Sequence, residues 1–444
     1  MFHWFDYHYP NSLSGIKMKR HIFSLFLFSL LTAALSLSFL VAQRSFAQEG
    51  TTSPLKNPTQ EDYIRQSKQF RGLWVSTVSN IDYPSKRGLS AEELAKEADE
   101  ILDRAAALHF TAIFLQVRPM GDAFYPSKLY PWSSFVTGEQ GVAPDKNFDV
   151  LGYWVKAAHS RGLELHAWIN PYRVTVGKKE LEDLAEDNPA RQHPDWTFKH
   201  GDRYYLNPGI PEARKHVVQG IAEIVRNYDV DGVHIDDYFY PERKIEEDSE
   251  TYKKYGRGID NIEDWRRDNV NRFIAEAANA IHQIRKDVVW SVSPAGIWAN
   301  KDSHPLGSET RGNQCYFNLY ADVRKWIKEE TIDAVIPQIY WHIGFEIADF
   351  SILTDWWSDV VADTDVKLYV GVAAYRLDPN SKTEAWRDLK ELDRQLDYMA
   401  ASPEVDGQVF FTEHSFRPGK PAYEAIKRFG EEHNWPTVAP ADSK

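Results

Sequence analysis

Residues 231–241 read Asp-Gly-Val-His-Ile-Asp-Asp-Tyr-Phe-Tyr-Pro, an apolar strand that stops at two adjacent carboxylates inside a group of aromatics. Side chains alternate along a strand, so His234 and Asp236 share one direction while Val233 and Ile235 take the other. Asp237 falls where the strand is ending and can turn the same way as Asp236. Carboxylates set among Tyr, Phe and Trp are what cleavage of a sugar chain needs: a proton donor for the departing oxygen, a stabilising acid, and flat rings for pyranose faces. An adjacent pair is too close to act as the opposed acids of an inverting hydrolase, which stand roughly 6.5–9.5 Å apart. It fits better a scheme in which the 2-acetamido group of the sugar is the nucleophile. Asp236 would then orient the acetamido nitrogen, and Tyr340 would hold its oxygen. Asp237, raised in pKa by its neighbour and by aromatic burial, would protonate the leaving group. The competing chemistry makes one of the pair a covalent nucleophile and takes the acid from Asp122 or Glu413. Two bland readings stand beside these. The pair and His234 could hold a divalent cation, although no His-x-His or His-x-x-x-His spacing supports it and no metal is assigned. The pair could also be a structural network with Arg118 or Arg173.

Such residues need a frame that brings distant segments to one place. From Phe70 onward, short apolar runs alternate with helical periodicity, the pattern of repeated βα units. Strands are expected at 72–78, 112–117, 164–169, 232–236, 289–293, 334–340, 368–374 and 407–412. Eight in order imply an α/β fold, a closed (β/α)8 barrel forming a single domain over residues 70–435, with 48–69 a polar linker and 436–444 a tail. The helices have legible starts and stops. Ser90 and Glu93 make a capping box ahead of the stripe Leu94, Ala98, Ile101, Leu102 and Ala105. Pro211 precedes Val217, Val218, Ile221, Ile224 and Val225, and Gly162 closes a helix near His159. Long connections at 119–146, 241–259 and 298–318 follow strands, where barrels keep their functional loops.

The strand ends collect a polar and aromatic set that the barrel would gather on one face. It comprises Trp74 and Ser76, then Gln116 and Arg118 with Asp122 just beyond, then His166, Trp168, Asn170, Tyr172 and Arg173. His234, Asp236, Asp237 and Tyr238 follow, then Ser293, then Gln338, Tyr340 and Trp341, and last Tyr375, Glu413 and His414. Asp236 and Asp237 are the expected catalytic pair. Substrate contacts are expected from Trp74, Gln116, Arg118, Asp122, His166, Trp168, Asn170, Tyr172, Arg173, His234, Tyr238, Gln338, Tyr340 and Trp341. Trp326 and the Trp356-Trp357 pair fall at helical positions and read as core.

Composition narrows the partners. A formal net charge of −13 argues against nucleic acid or an anionic membrane surface. Cys315 is the sole cysteine, so no intrachain disulfide forms and the core must supply stability. Lys17, Lys19 and Arg20, the apolar run 22–42 and Ser45-Phe46-Ala47 read as a signal peptide over residues 1–47, with Met18 as the true start. An uncleaved anchor is the alternative, the run being close to the ~20 residues that span a bilayer. The mature protein is thus expected in the periplasm or outside the cell, free of the membrane after cleavage.

Several longer motifs carry a resemblance. They are Arg71-Gly72-Leu73-Trp74-Val75, Leu115-Gln116-Val117-Arg118-Pro119 with Gly121-Asp122-Ala123-Phe124-Tyr125-Pro126, and His166-Ala167-Trp168-Ile169-Asn170-Pro171-Tyr172-Arg173. Leu206-Asn207-Pro208-Gly209, the Asp-Asp segment and Pro337-Gln338-Ile339-Tyr340-Trp341 complete the series. With these motifs in order over residues 70–376, the chain resembles the glycosyl hydrolase-like 10 family, formerly a domain of unknown function. The resemblance implies a TIM-barrel glycoside hydrolase, usually exported; no cofactor is expected. It extends to a bacterial enzyme that cuts peptidoglycan glycan strands stripped of their peptides, whose two alternating sugars both bear 2-acetamido groups. Phe411-Thr412-Glu413-His414 departs from the family pattern of small hydroxyl residues, which weighs against Glu413. A hydrolase of another extracellular polysaccharide, and a noncatalytic glycan-binding barrel, remain as alternatives.

Overall fold

The computed structural model describes residues 53–242 and 245–438. The expected signal peptide lies outside the described residues, as does most of the expected tail. Eight parallel strands form the frame: β1 (Phe70–Val75), β2 (Ala112–Arg118), β3 (Glu164–Ile169), β4 (Gly232–Ile235), β5 (Val289–Val292), β6 in two pieces (Ala334–Val335 and Gln338–Ile339), β7 (Lys367–Val372) and β8 (Val405–Phe410). Neighbours in sequence are neighbours in space, and β8 pairs back onto β1 with Phe70 opposite Gly407, which closes the barrel. The break in β6 has a chemical cause. Pro337 lacks an N–H and cannot donate to the ladder, yet its carbonyl accepts from Gly371 N at 2.9 Å, so both pieces stay paired with β7.

Period-two alternation sorts the strand residues. Leu73, Val75, Ile113, Leu115, Leu165, Ala167, Val233 and Ile235 point outward and are buried under the helices. Those helices obey their sequence signals. Ser90 Oγ accepts from Glu93 N at 3.2 Å and Ser90 N donates to Glu93 Oε2 at 2.8 Å at the head of Ala91–Ala107. Pro211 opens Pro211–Asn227, where it has no N–H to leave unpaired. Gly162, at φ +74°, turns the chain after Val150–His159.

The inward residues fill the barrel in layers. At its floor Phe70 stacks on Tyr369 with ring centroids 4.3 Å apart, and Phe114 stacks on His166 at 4.6 Å. A side chain at Gly232 would place its Cβ 2.1 Å from His166 Nδ1, so only glycine lets that imidazole lie across β4. The segment read as a linker holds a helix, Gln60–Ser67, capped reciprocally by Thr59 and Asp62. Buried Gln66 fastens it by donating to Leu396 O at 2.8 Å, a tertiary bond that its polar composition does not announce. A hairpin, Thr197–His200 with Arg203–Leu206, stands in the connection from β3 to β4.

Candidate active site

Asp236 is held by donors on both of its oxygens. It follows the last residue of β4 and points into the barrel mouth, where Asn170 Nδ2 donates to Oδ1 at 2.8 Å and to Oδ2 at 2.6 Å. Trp168 Nε1 donates to Oδ2 at 3.2 Å, and Tyr238 N to Oδ1 at 3.2 Å. The amide of Asn170 has one possible orientation. Its Oδ1 accepts from Arg173 Nη2 at 2.8 Å, a group that can only donate, and from Gln116 Nε2 at 2.6 Å. Gln116 is itself fixed, because its Oε1 accepts from Thr77 N at 3.0 Å, Val78 N at 2.9 Å and Ser76 Oγ at 3.2 Å. A relay therefore runs from the loop after β1, across β2 and β3, to the carboxylate on β4. Burial pushes the Asp236 carboxyl above the ordinary carboxylate range, while the charge of Arg173 and the donors of Asn170, Tyr238 and Trp168 pull it back.

Asp237 has a different environment. It is half-buried at the mouth, and burial followed by the charge of Asp236 pushes it up to about 7, against a lowering contribution from Gln338. One acid is thus cradled by donors that favour its ionised form, and the other keeps a proton near neutrality. That division of labour is what acid catalysis with a stabilising partner requires.

Under the pair, His234 occupies the lumen. Trp74 Nε1 donates to its Nε2 at 3.3 Å, so the ring proton sits on Nδ1 and is donated to Ser291 Oγ at 2.9 Å, while Ser293 Oγ lies 3.0 Å from Nε2. Burial, then the charge of His166, holds this imidazole well below its ordinary pKa and hence neutral. With both nitrogens turned to Trp74 and the serines, His234 does not complete a cation site with the two acids. The ion-pair reading fares no better. Arg173 turns Nε and Nη2 to Pro119 O, at 2.9 and 2.7 Å, and Nη2 also to Asn170, and its guanidinium lies 4.9 Å from the Tyr238 ring. It acts on the acids through space, and among the described residues neither acid has an ion-pair partner.

Not every expected contact faces the mouth. A register shift between Gln116 and Arg118 turns the Arg118 side chain outward, where its guanidinium lies 4.1 Å from the Tyr130 ring and against Gly220 of the helical shell. Tyr172 is buried against Phe273, also in the shell. His166 belongs to the barrel floor, with Nε2 3.1 Å from Glu164 Oε2. Asp122 is buried under its own loop, accepting from Gln140 Nε2 at 3.0 Å, and burial pushes it up to about 6. Glu413 is buried between Arg104 and Arg417. Trp74, Gln116, Trp168, Asn170, Arg173 and His234 are all buried as supports. The groups beside Asp237 are Tyr238, Gln338 and Tyr340, while Trp341 lies half-buried against Gly296 in the loop after β5. Gln338 Nε2 donates to Ser293 O at 2.9 Å. The Tyr340 ring lies between Phe411 and Tyr375, at 6.0 and 6.2 Å, and its phenol is raised by burial and then by Tyr375, Asp237 and Asp236, which places it beside the pair.

Sequence patterning missed Asp82. This buried carboxyl accepts from Ser76 N at 2.7 Å, from His414 N at 3.0 Å and from Thr412 Oγ1, tying the loop after β1 to the end of β8. Burial, followed by the charge of Glu413, pushes it up to about 7. Nothing in its local sequence separates it from an ordinary loop aspartate.

The family model described as glycosyl hydrolase-like 10 matches residues 69–388. The chain belongs to that family. It is 43% identical over 353 residues to glycosyl hydrolase YngK of Bacillus subtilis (strain 168), covering 78% of this chain and 69% of the relative. It is 39% identical over 396 residues to glycosyl hydrolase DigH of Escherichia coli (strain K12), covering 84% of this chain and 90% of the relative. Among solved structures, the α-L-fucosidase isoenzyme 2 from Paenibacillus thiaminolyticus superposes with a TM-score of 0.49 at 14% identity, over 82% of this chain and 49% of that one, too remote to bear on the site. As a member of the glycosyl hydrolase-like 10 family, the protein is a glycoside hydrolase acting on a carbohydrate.

Proposed function

We propose that the enzyme is exported and hydrolyses cell-wall glycan strands whose sugars carry 2-acetamido groups, namely peptidoglycan stripped of its peptides, with the acetamido group as nucleophile. The observation that carries this is the asymmetric pair. Asp236, fixed by Asn170 and Trp168 in a form that favours its charge, receives the acetamido N–H and steadies the positive charge that develops as the oxygen attacks the anomeric carbon. Asp237, still protonated near pH 7, delivers its proton to the glycosidic oxygen, then takes one from the water that opens the cyclic intermediate. Tyr340, whose phenol feels the charge of both acids, holds the acetamido oxygen in this scheme. The competing scheme, a covalent nucleophile served by a distant acid, loses both of its proposed donors. Asp122 lies under a loop and Glu413 is held by two arginines.

Digestion of purified peptidoglycan, intact and peptide-free, with mass analysis of the products tests this reading. Fragments are expected from the peptide-free polymer and not with Asp237→Asn, which should retain glycan binding. A thiazoline mimic of the cyclic intermediate should bind far more tightly than substrate. Cleavage confined to polysaccharides without acetamido groups would overturn the assignment.

A further inference from the structure

Beyond the acid pair, the loop at 298–318 carries an aromatic group with no part in the chemistry described so far. Trp298 and Trp356 lie nearly parallel, with ring centroids 6.1 Å apart and planes 20° from each other. The Arg324 guanidinium sits over both, its Cζ 5.4 Å from the Trp298 ring and 5.6 Å from the Trp356 ring. Trp298 is buried and forms the backing. Trp356 is half-buried and turns its Nε1 to Leu306 O at 3.2 Å, next to a Leu306 side chain that is 54% exposed.

Two arginines border this group, and they differ. Arg267 lies 4.4 Å from the Tyr316 ring but is committed to Asp264 by a 2.5 Å bond. Arg324 makes no hydrogen bond or ion pair among the described residues, and its charge feels Asp322 only through space. A part-buried guanidinium held by rings with its fork uncommitted is built to receive a planar anion such as a carboxylate. The half-buried Trp356 indole beside it suits the apolar face of a sugar. The loop passes close to the acid pair on its buried side. Cys315, in the same loop, bonds Ile297 O through its N–H at 3.0 Å, and its buried thiol is raised by burial and then by the charge of Asp237.

We infer that Arg324, with Trp356 as stacking plane and Trp298 behind it, forms a distal subsite that recognises a sugar unit bearing a free carboxylate. This rests on the polymer substrate proposed above and sharpens it. Removing the peptides from peptidoglycan leaves a carboxylate on every second sugar. A chain of net charge −13 needs a local cation to hold such a polyanion. The subsite thus selects stripped strands over those whose carboxylates remain in amide linkage to peptide.

The test compares the full-length wild-type enzyme with Arg324→Gln on two substrates: peptide-free strands, and the same strands with their carboxylates converted to primary amides. Wild type should prefer the free carboxylates by roughly tenfold in kcat/KM, through KM, which is the value of one good charged contact. In Arg324→Gln that ratio should collapse to about one. A variant that keeps the wild-type ratio, or that loses rate on both substrates equally together with melting temperature, overturns the inference and makes Arg324 a structural staple. If neither strand is cleaved, the substrate assignment fails. The subsite is then judged by tryptophan-fluorescence titration with the two strands. Tighter binding of the carboxylate form by wild type and not by Arg324→Gln upholds it; equal binding overturns it.

Discussion

Asn170→Ala should move one limb of the pH–rate profile and leave the other in place. The amide of Asn170 bonds both oxygens of Asp236 from a single nitrogen, at 2.8 and 2.6 Å, so it counts as one forked, charge-assisted bond to the ionised form. Such a bond is worth roughly 1.5–3 kcal/mol. At 1.36 kcal/mol per pH unit, its loss raises the Asp236 pKa by about one to two units. The sign follows from which form the donor favours. Asn170 stabilises the carboxylate, so without it Asp236 takes up a proton at higher pH. The acid limb of kcat/KM, where Asp236 must be charged, therefore moves toward neutrality. The basic limb reports Asp237, raised to about 7 by burial and by Asp236, and should stay near its wild-type position. The plateau between them narrows and the maximum rate falls. Initial rates on peptide-free strands from pH 3 to 9, with melting curves to confirm folding, measure both limbs. An acid limb displaced by less than ~0.3 pH unit, about 0.4 kcal/mol, would show that Asn170 does not hold the charged form of Asp236.

Three further outcomes are expected. Asp237 has its pKa raised from 3.8 to about 7 on folding, so its favourable contribution is complete below the unfolded value and is lost as pH rises through the folded one. Asp237→Asn should therefore melt higher than wild type at pH 8, by roughly 1–3 kcal/mol for a half-buried group, with the gain vanishing near pH 4. An equal gain at both pH values would count against the shift. Glu413→Gln should keep its glycosidase rate on peptide-free strands while losing roughly 1–3 kcal/mol in urea melts, since its bonds to Arg104 and Arg417 are structural. Abolished turnover in a folded variant would return it to the chemistry. Arg266 is only 3% exposed and meets the fully buried Asp248 at 2.6 and 2.8 Å, with further bonds to Tyr320 and Ile245 O. Arg266→Met leaves that carboxylate unpaired, so it should cost roughly 3–5 kcal/mol and expose the loop that follows the catalytic strand to proteolysis. Cleavage at the wild-type rate would refute that role.

How far the site could be read ahead of the fold differs from residue to residue. The Asp-Asp segment was legible because an apolar strand ending in acids has few uses, and alternation alone directed Asp236 inward with His234. The same alternation directed Arg118 inward, and there the backbone departed from it. The shift after Gln116 that sends Arg118 to the shell arises from pairing with β3, and a residue's own neighbours do not encode it. Aromatics at strand ends read equally well as sugar platforms or as barrel filling. Trp74 and Trp168 proved to be filling with one polar atom each turned to His234 or Asp236, whereas Tyr340, though buried too, lies close enough to feel the charge of both acids.

The sequence by itself determined the order of the eight barrel strands, the barrel they close into, and the strand that delivers the acids. These follow from hydrophobic period, caps and turn residues, all of which act over a few neighbouring positions. The tertiary structure alone decided which acid is cradled and which keeps its proton. That depends on Asn170, Trp168, Gln116 and Arg173 arriving from β2, β3 and the turn beyond it. Burial and charge act across space, and a carboxylate's pKa is set by what the fold brings within a few ångströms of it, however far away that lies along the chain.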